Sequence, residues 1–379
     1  MKTLRSLLVA FSALMLVACQ EKPVSPDTPY IIEGYVPNVE DGMEIALSQY
    51  LGNIYEVIAR DTIENGKFYF KEQIRDNNTQ LALRVNKKEY NGSSSLFIYV
   101  QPGVHVKVTG LDHYTELWEV DSRIPRQLLY NELREVSRTE IIELSDLDIA
   151  LTDENGALRS WEDANKLSKA YQVVVAKQLQ HMMNMNVSEA LMEELLHHLR
   201  FNASKENFPH KEMFLSLYEK LSDEQKQSIL GLEINALLNP PQQARVGKSA
   251  PDADFFDLQG NLHHISEFKG KYILLDFWSG GCGPCLQAFP KMKELYEEAG
   301  NRLSIISISI DPEKYWRTAS KKHELTWDNW NELKGRAGLY TNYRINAIPF
   351  YVLINPEGKI VETIRGFNKN YLMEAIGLK

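Results

Sequence analysis

Cysteine is scarce: the chain of 379 residues contains three, far below the density of a disulfide-stapled scaffold. Glycine (21) and proline (15) are too few for a collagen-like or low-complexity chain. Positive charge is in deficit, with a net charge of -9 at pH 7 and no basic stripe, which argues against nucleic acid as a partner. No run of about 18 apolar residues, the length a membrane-spanning helix needs, occurs in the chain. No internal repeat of about 20–50 residues is present. What remains is a globular composition, 44% apolar and 25% charged, long enough for two or three domains.

The three cysteines sit in two contexts. Cys19 closes an N-terminal segment in which Lys2 and Arg5 precede a short apolar run over 7–17. The run ends Leu16-Val17-Ala18-Cys19, which resembles the lipobox of bacterial lipoproteins. That resemblance implies removal of residues 1–18, a diacylglyceryl anchor on Cys19, attachment to a membrane through the lipid, and a location in the cell envelope facing the periplasm. The alternative is an ordinary signal peptide with an incidental cysteine. Residues 19–29 carry three prolines and no apolar periodicity, and read as a tether.

The rest divides by pattern into three parts. Residues 30–121 are rich in short β-branched and aromatic runs, at 30–36, 54–61, 67–71, 81–85, 96–100 and 105–109. Asn65-Gly66, Asn91-Gly92 and Pro102-Gly103 separate them as turns, so an antiparallel sandwich or barrel-like module is expected. Residues 122–245 have helical spacing, as in Leu191, Leu195, Leu196 and Leu199, until Pro240-Pro241 breaks it. Residues 246–379 alternate strands and helices, which predicts an α/β layer fold with a mixed sheet. The expected strands there are 272–277, 303–310, 349–354 and 359–364, and the expected helices 286–299, 315–323 and 370–376.

The chemistry lies in Cys282-Gly283-Pro284-Cys285, between an expected strand and an expected helix. A cysteine at a helix N-terminus is held as thiolate by the dipole and the unpaired N–H groups. Cys282 would attack a disulfide, and Cys285, one turn on, would resolve the mixed disulfide. Pro284 stiffens the turn. Two other uses of the pair stay open: half of a zinc site, for which no second cysteine pair exists, and an inert structural disulfide, whose two-residue loop closes little chain entropy.

The strand sequence Ile273-Leu274-Leu275-Asp276-Phe277-Trp278 followed by this pair resembles thioredoxin, over about 246–379. Gly247 to Pro251, Phe255, Leu258 and Lys269-Gly270-Lys271 resemble the opening of the TlpA/ResA-like branch of extracytoplasmic thioredoxin-like proteins. The resemblance implies that Ile348-Pro349 is cis and presents a backbone edge to substrate, with Pro349 facing the cysteines. It implies that Asp276 is a buried acid accepting the proton of Cys285, and that Trp278, Gly281, Gly283, Pro284, Ile348 and Phe350 shape the substrate groove. Three positions depart from the pattern: Gly281 and Phe350 stand where relatives carry Trp and Thr, and Ala288 where ResA-like proteins carry Glu. The stretch 316–330 reads as scaffold.

The expectation is therefore a multidomain, lipid-anchored thiol–disulfide oxidoreductase with no cofactor beyond its redox disulfide and no resident metal. Protein disulfides are the expected substrates and a membrane-embedded protein the expected electron donor. The Gly-Pro dipeptide matches thioredoxin, a reductant near about −270 mV, which favours reduction. A thiol peroxidase is the second reading. The third is a copper-binding or scaffold lipoprotein, for which His181-Met182-Met183 and Met185 offer soft ligands and core filling is the simpler explanation. The adjacent pairs His197-His198 and His263-His264 cannot converge on one site and read as structural.

Overall fold

A computed structural model describes residues 25, 27–50, 55–74, 80–87, 95–153, 157–203 and 207–377. Cys19 and the leader lie outside the described residues. Among the described residues no helix is long and apolar enough to cross a membrane.

The N-terminal part is a sandwich of two four-stranded sheets. One has the order β4-β1-β7-β8, from β1 (Tyr30–Tyr35), β4 (Lys67–Glu72), β7 (His105–Thr109) and β8 (Glu119–Asp121). The other has the order β3-β2-β5-β6, from β2 (Glu44–Tyr50), β3 (Tyr55–Thr62), β5 (Gln80–Val85) and β6 (Leu96–Tyr99). Inward residues of both sheets, among them Ile32, Ile45, Phe68, Leu83 and Val106, form one core. The alternation in Lys67–Glu72 is that of a strand with one face in this core. One expectation needs correction: the module is not wholly antiparallel, because β1 and β7 pair in parallel. The chain between them crosses to the other sheet twice, returning in between as β4, and β1 and β7 run in the same direction through their shared sheet.

Among the described residues seven helices follow: α1 (Pro125–Val136), α2 (Arg138–Leu151), α3 (Trp161–Met182), α4 (Glu189–Asn202), α5 (Lys211–Glu219), α6 (Asp223–Gln227) and α7 (Ile229–Leu238). Ser160, Ser188 and Ser222 cap α3, α4 and α6, their hydroxyls accepting backbone N–H groups of the first turn. Leu191, Leu195 and Leu199 line the shared helical core. Gln127 on α1 accepts the Tyr99 N–H at 2.9 Å, joining helices to sandwich.

The C-terminal part is a seven-stranded mixed sheet, order β10-β9-β13-β12-β11-β14-β15. Its strands are β9 (Phe255–Phe256), β10 (Leu262–His263), β11 (Tyr272–Trp278), β12 (Leu303–Ser309), β13 (Asp328–Asn331), β14 (Phe350–Ile354) and β15 (Ile360–Arg365). β11 runs parallel to β12 and antiparallel to β14. Both faces of β11 are buried, which explains its near-continuous apolar run. Leu274 and Trp278 pack under α8 (Gly283–Ala299), α9 (Glu313–His323) and α11 (Lys369–Ala375), while Leu275 and Phe277 face the layer containing α10 (Leu339–Asn342).

Candidate active site: a disulfide at a helix N-terminus

The site forms where β11 ends and α8 begins. Cys282 is the N-cap of α8, and its Sγ accepts the Cys285 N–H at 3.2 Å. That N–H is one of the donors a helix start leaves without a partner, and it favours negative charge on the sulfur. Cys282 and Cys285 are joined as a disulfide, S–S 1.96 Å with Cα atoms 5.3 Å apart. Cys282 is 8% exposed and Cys285 fully buried, so an incoming partner meets Cys282 first.

The loop before the pair is held from β12's C-terminal end. Asp311 accepts the Ser279 hydroxyl at 2.7 Å and the Gly280 N–H at 2.7 Å. Asn331 donates to the Asp311 carbonyl at 2.9 Å, tying the same corner to β13. Gly280 packs against α9, with space for no more than a hydrogen: a Cβ there would lie 2.6 Å from the Ala319 Cβ.

Asp276 sits on the face of β11 that carries Leu274 and Trp278, and is fully buried. Burial raises its carboxyl to about 7, against a smaller lowering by the Ser307 hydrogen bond. The Ser307 hydroxyl donates to Asp276 Oδ2 at 2.6 Å, and the Trp327 indole N–H donates to Ser307 Oγ at 2.8 Å. Asp276 Oδ1 is buried with no hydrogen-bond partner. Tyr351, opposite Asp276 on β14, is pushed upward by burial and by the Asp276 charge.

The Ile348-Pro349 bond is cis, and Ile348 packs on the buried cluster that holds both cysteines. Gly281, Gly283, Ile348 and Pro349 are half-buried and Pro284 exposed, so these residues form the accessible rim. Two expected groove residues are placed elsewhere. Trp278 is fully buried, its ring edge-on to Phe289 at 5.3 Å, because strand alternation turns it beneath α8. Phe350 is buried on the other face of the sheet, packing on Phe277, one alternation step from the cysteine side.

Ser307, Asp311 and Trp327 escape a reading of the sequence. Ser307 is a polar residue in an apolar run, but its alignment with Asp276 needs the β11–β12 register. Trp327 comes from the stretch expected to be scaffold. Elsewhere, His181 pairs with Glu132 at 2.7 Å while Met182 is buried in the helical core, so that run does not converge as one ligand set. His263 lies between Asp257 and Glu267, both at 3.2 Å, and stacks on Trp330 at 4.9 Å.

Residues 245–376 match the family model described as Redoxin. The thioredoxin-like protein YneN of Bacillus subtilis (strain 168) is 28% identical over 118 residues, 30% of this chain and 68% of that protein. Thiol-disulfide oxidoreductase ResA of Bacillus thuringiensis subsp. konkukian is 28% identical over 131 residues, covering 33% of this chain and 72% of ResA. A solved thioredoxin domain of a thiol-disulfide oxidoreductase from Bacteroides vulgatus is 28% identical, with 36% of this chain and 100% of that chain covered and a TM-score of 0.34. The C-terminal part of the chain is a redoxin domain of thioredoxin fold. It is a thioredoxin-like oxidoreductase, similar to thiol-disulfide oxidoreductases of the ResA kind.

Proposed function

We propose that the chain is a lipid-anchored, extracytoplasmic thiol–disulfide oxidoreductase that reduces protein disulfides through Cys282 and Cys285. The observation that carries this reading is the pair itself: an accessible sulfur at a helix N-terminus, bonded to a buried one in the cluster under α8, with a carboxyl raised to about 7 on the adjoining strand. The Cys282 thiolate attacks a substrate disulfide; a mixed disulfide forms and one substrate sulfur leaves as thiolate. Cys285 gives its proton to Asp276, and its thiolate attacks Cys282 Sγ. The Cys282–Cys285 bond forms, the bond to substrate breaks, and two electrons have passed to the substrate. Pro349 and Ile348 offer backbone to the bound chain, with Gly281, Gly283 and Pro284 as the opposing rim. Gly281 supplies no side chain there, which leaves room for a bulky partner. A membrane-embedded dithiol donor returns the pair to its reduced form, and the disulfide serves as the only redox group. Anchoring through Cys19 keeps the domain in the envelope, at the periplasmic face.

The test is trapping. Cys285→Ser should accumulate mixed disulfides with envelope proteins, visible as thiol-sensitive bands, whereas Cys282→Ser should accumulate none. The reading fails if the two variants trap equally and the wild-type pair, once reduced, leaves protein disulfides intact.

A further inference from the structure

Asp276 has one oxygen in a hydrogen bond and one without. Ser307 faces it across the parallel β11–β12 pair, and the hydroxyl donates to Oδ2 at 2.6 Å. The Trp327 indole lies 2.8 Å from the same hydroxyl oxygen. An indole N–H is a donor only, so Ser307 accepts from Trp327 and its single proton is committed to Asp276. Trp327 is itself fixed, its ring set against Phe289 and Tyr296 of α8 at 6.1 and 6.2 Å. Oδ2 therefore accepts a hydrogen bond whether the acid is ionised or neutral. Oδ1 is buried and unpartnered.

We propose that Trp327 and Ser307 form a one-way hydrogen-bond relay that keeps Oδ2 of Asp276 as a standing acceptor and reserves Oδ1 for the proton exchanged with Cys285. This rests on the reading of Asp276 as the proton acceptor given above. Ser307 and Trp327 are positioning residues: they act through Asp276 and touch no substrate. The relay favours the ionised acid over the neutral one, because a hydroxyl donates more strongly to a carboxylate than to a carboxylic acid. It thus opposes part of the upward push of burial. The other groups sharing this space are Tyr351 on β14, whose hydroxyl reaches Met292 Sδ at 3.8 Å, and the two cysteines at the start of α8. On β11 itself the flanking residues of that face, Leu274 and Trp278, do not titrate. Tyr351 stays neutral throughout the working range, its hydroxyl pushed upward by burial. Among the described residues, the Ser307 hydrogen bond is the polar contact that biases Asp276 toward its charged form.

The experiment loads Cys282 of the full chain with a coloured aromatic thiol as a mixed disulfide and follows release of that thiol, which reports attack by Cys285, as a function of pH. Wild type should show a limb rising through neutral pH, and Asp276→Asn should lack it. Ser307→Ala should move the limb upward by about one pH unit, the effect of losing a hydrogen bond to an ionised group. Ser307→Thr should restore it, and Trp327→Phe should give a smaller upward move. In infrared spectra the acid carbonyl band that Asp276→Asn removes should move to higher wavenumber in Ser307→Ala, since its oxygen loses a donor. If Asp276→Asn keeps the limb, the role of Asp276 fails and the relay with it. If Asp276→Asn loses the limb but Ser307→Ala and Trp327→Phe both coincide with wild type, the relay alone is overturned. Should Ser307→Ala not fold, the position of the Trp327→Phe limb decides the question by itself.

Discussion

A single buried carboxyl carries consequences for stability as well as for chemistry. Asp276 is raised to about 7 in the folded chain, above the ordinary carboxylate value of 3.8. For an acid raised on folding, the neutral form matches the folded state at low pH. As pH climbs past the unfolded value, the unfolded chain loses its proton first and folding is penalised up to the folded value. The stability contribution of the site therefore falls between about pH 4 and pH 7. Asp276→Asn, which keeps an oxygen for Ser307 and cannot ionise, should be more stable than wild type at pH 8. The gain should be on the order of a few kcal/mol at about 1.4 kcal/mol per pKa unit, and should vanish near pH 4. Denaturant midpoints at the two pH values check this; equal differences at both would remove burial of the charge as the cause. Such a gain in stability alongside a loss of activity is what a strained functional group produces.

At the scale of elements, the active-site loop owes its shape to packing that sequence periodicity does not report. A Cβ on Gly280 would collide with the Ala319 Cβ of α9, and Asp311 grips the loop from β12's end. Gly280→Ala should push the loop from α9, costing about 1–3 kcal/mol as overpacking does, and should slow the reduction of protein disulfides. Thermal unfolding together with a turnover assay would measure both; unchanged values in the two would mean the loop adapts freely. The same distinction governs how much was legible beforehand. The strands and helices around Cys282 were readable, because 303–310 and 286–299 have unmistakable apolar patterns and the observed elements, Leu303–Ser309 and Gly283–Ala299, lie on them. Cys282 and Cys285 announce themselves by their spacing, whereas Asp276 stands out only through the resemblance to thioredoxin. β2 was not readable: Glu44–Tyr50 mixes Ala, Leu and Glu with strand formers, and its place comes from pairing with β3 and β5. The resemblance assigns Trp278 and Phe350 to the groove, whereas alternation along the strands turns each ring into a core. Ser307 and Trp327 meet only through register and the return of a long segment, information that no local window holds.

At the scale of the molecule, helices and redoxin domain meet where Glu233 and Ile229 of α7 lie against the turn at Gly335. Glu233 on α7 accepts the Arg336 N–H at 3.0 Å and pairs with Arg200 of α4 at 2.6 Å. Arg344 donates to the Pro241 carbonyl at 2.9 Å close by. Glu233→Ala should loosen this junction while each part keeps its own core. Calorimetry should then resolve two unfolding transitions, and protease should cut more readily near 240–246; a single unaltered transition would show that Glu233 is not what couples the two parts. The linker there contains Pro240-Pro241, which limits how far the two parts can swing.

The parallel pairing of β1 with β7 has a mechanical side. β1 begins at Tyr30 and lies inside its sheet with β4 on one side and β7 on the other. Tension arriving from the chain before Tyr30 runs along the strand axis, so both ladders are loaded in shear and their hydrogen bonds must yield together. An edge strand pulled crosswise would unzip one bond at a time. A pull on the chain before Tyr30 is thus met by a strand whose position shares load, and need not disturb the redoxin domain at the other end of the sequence.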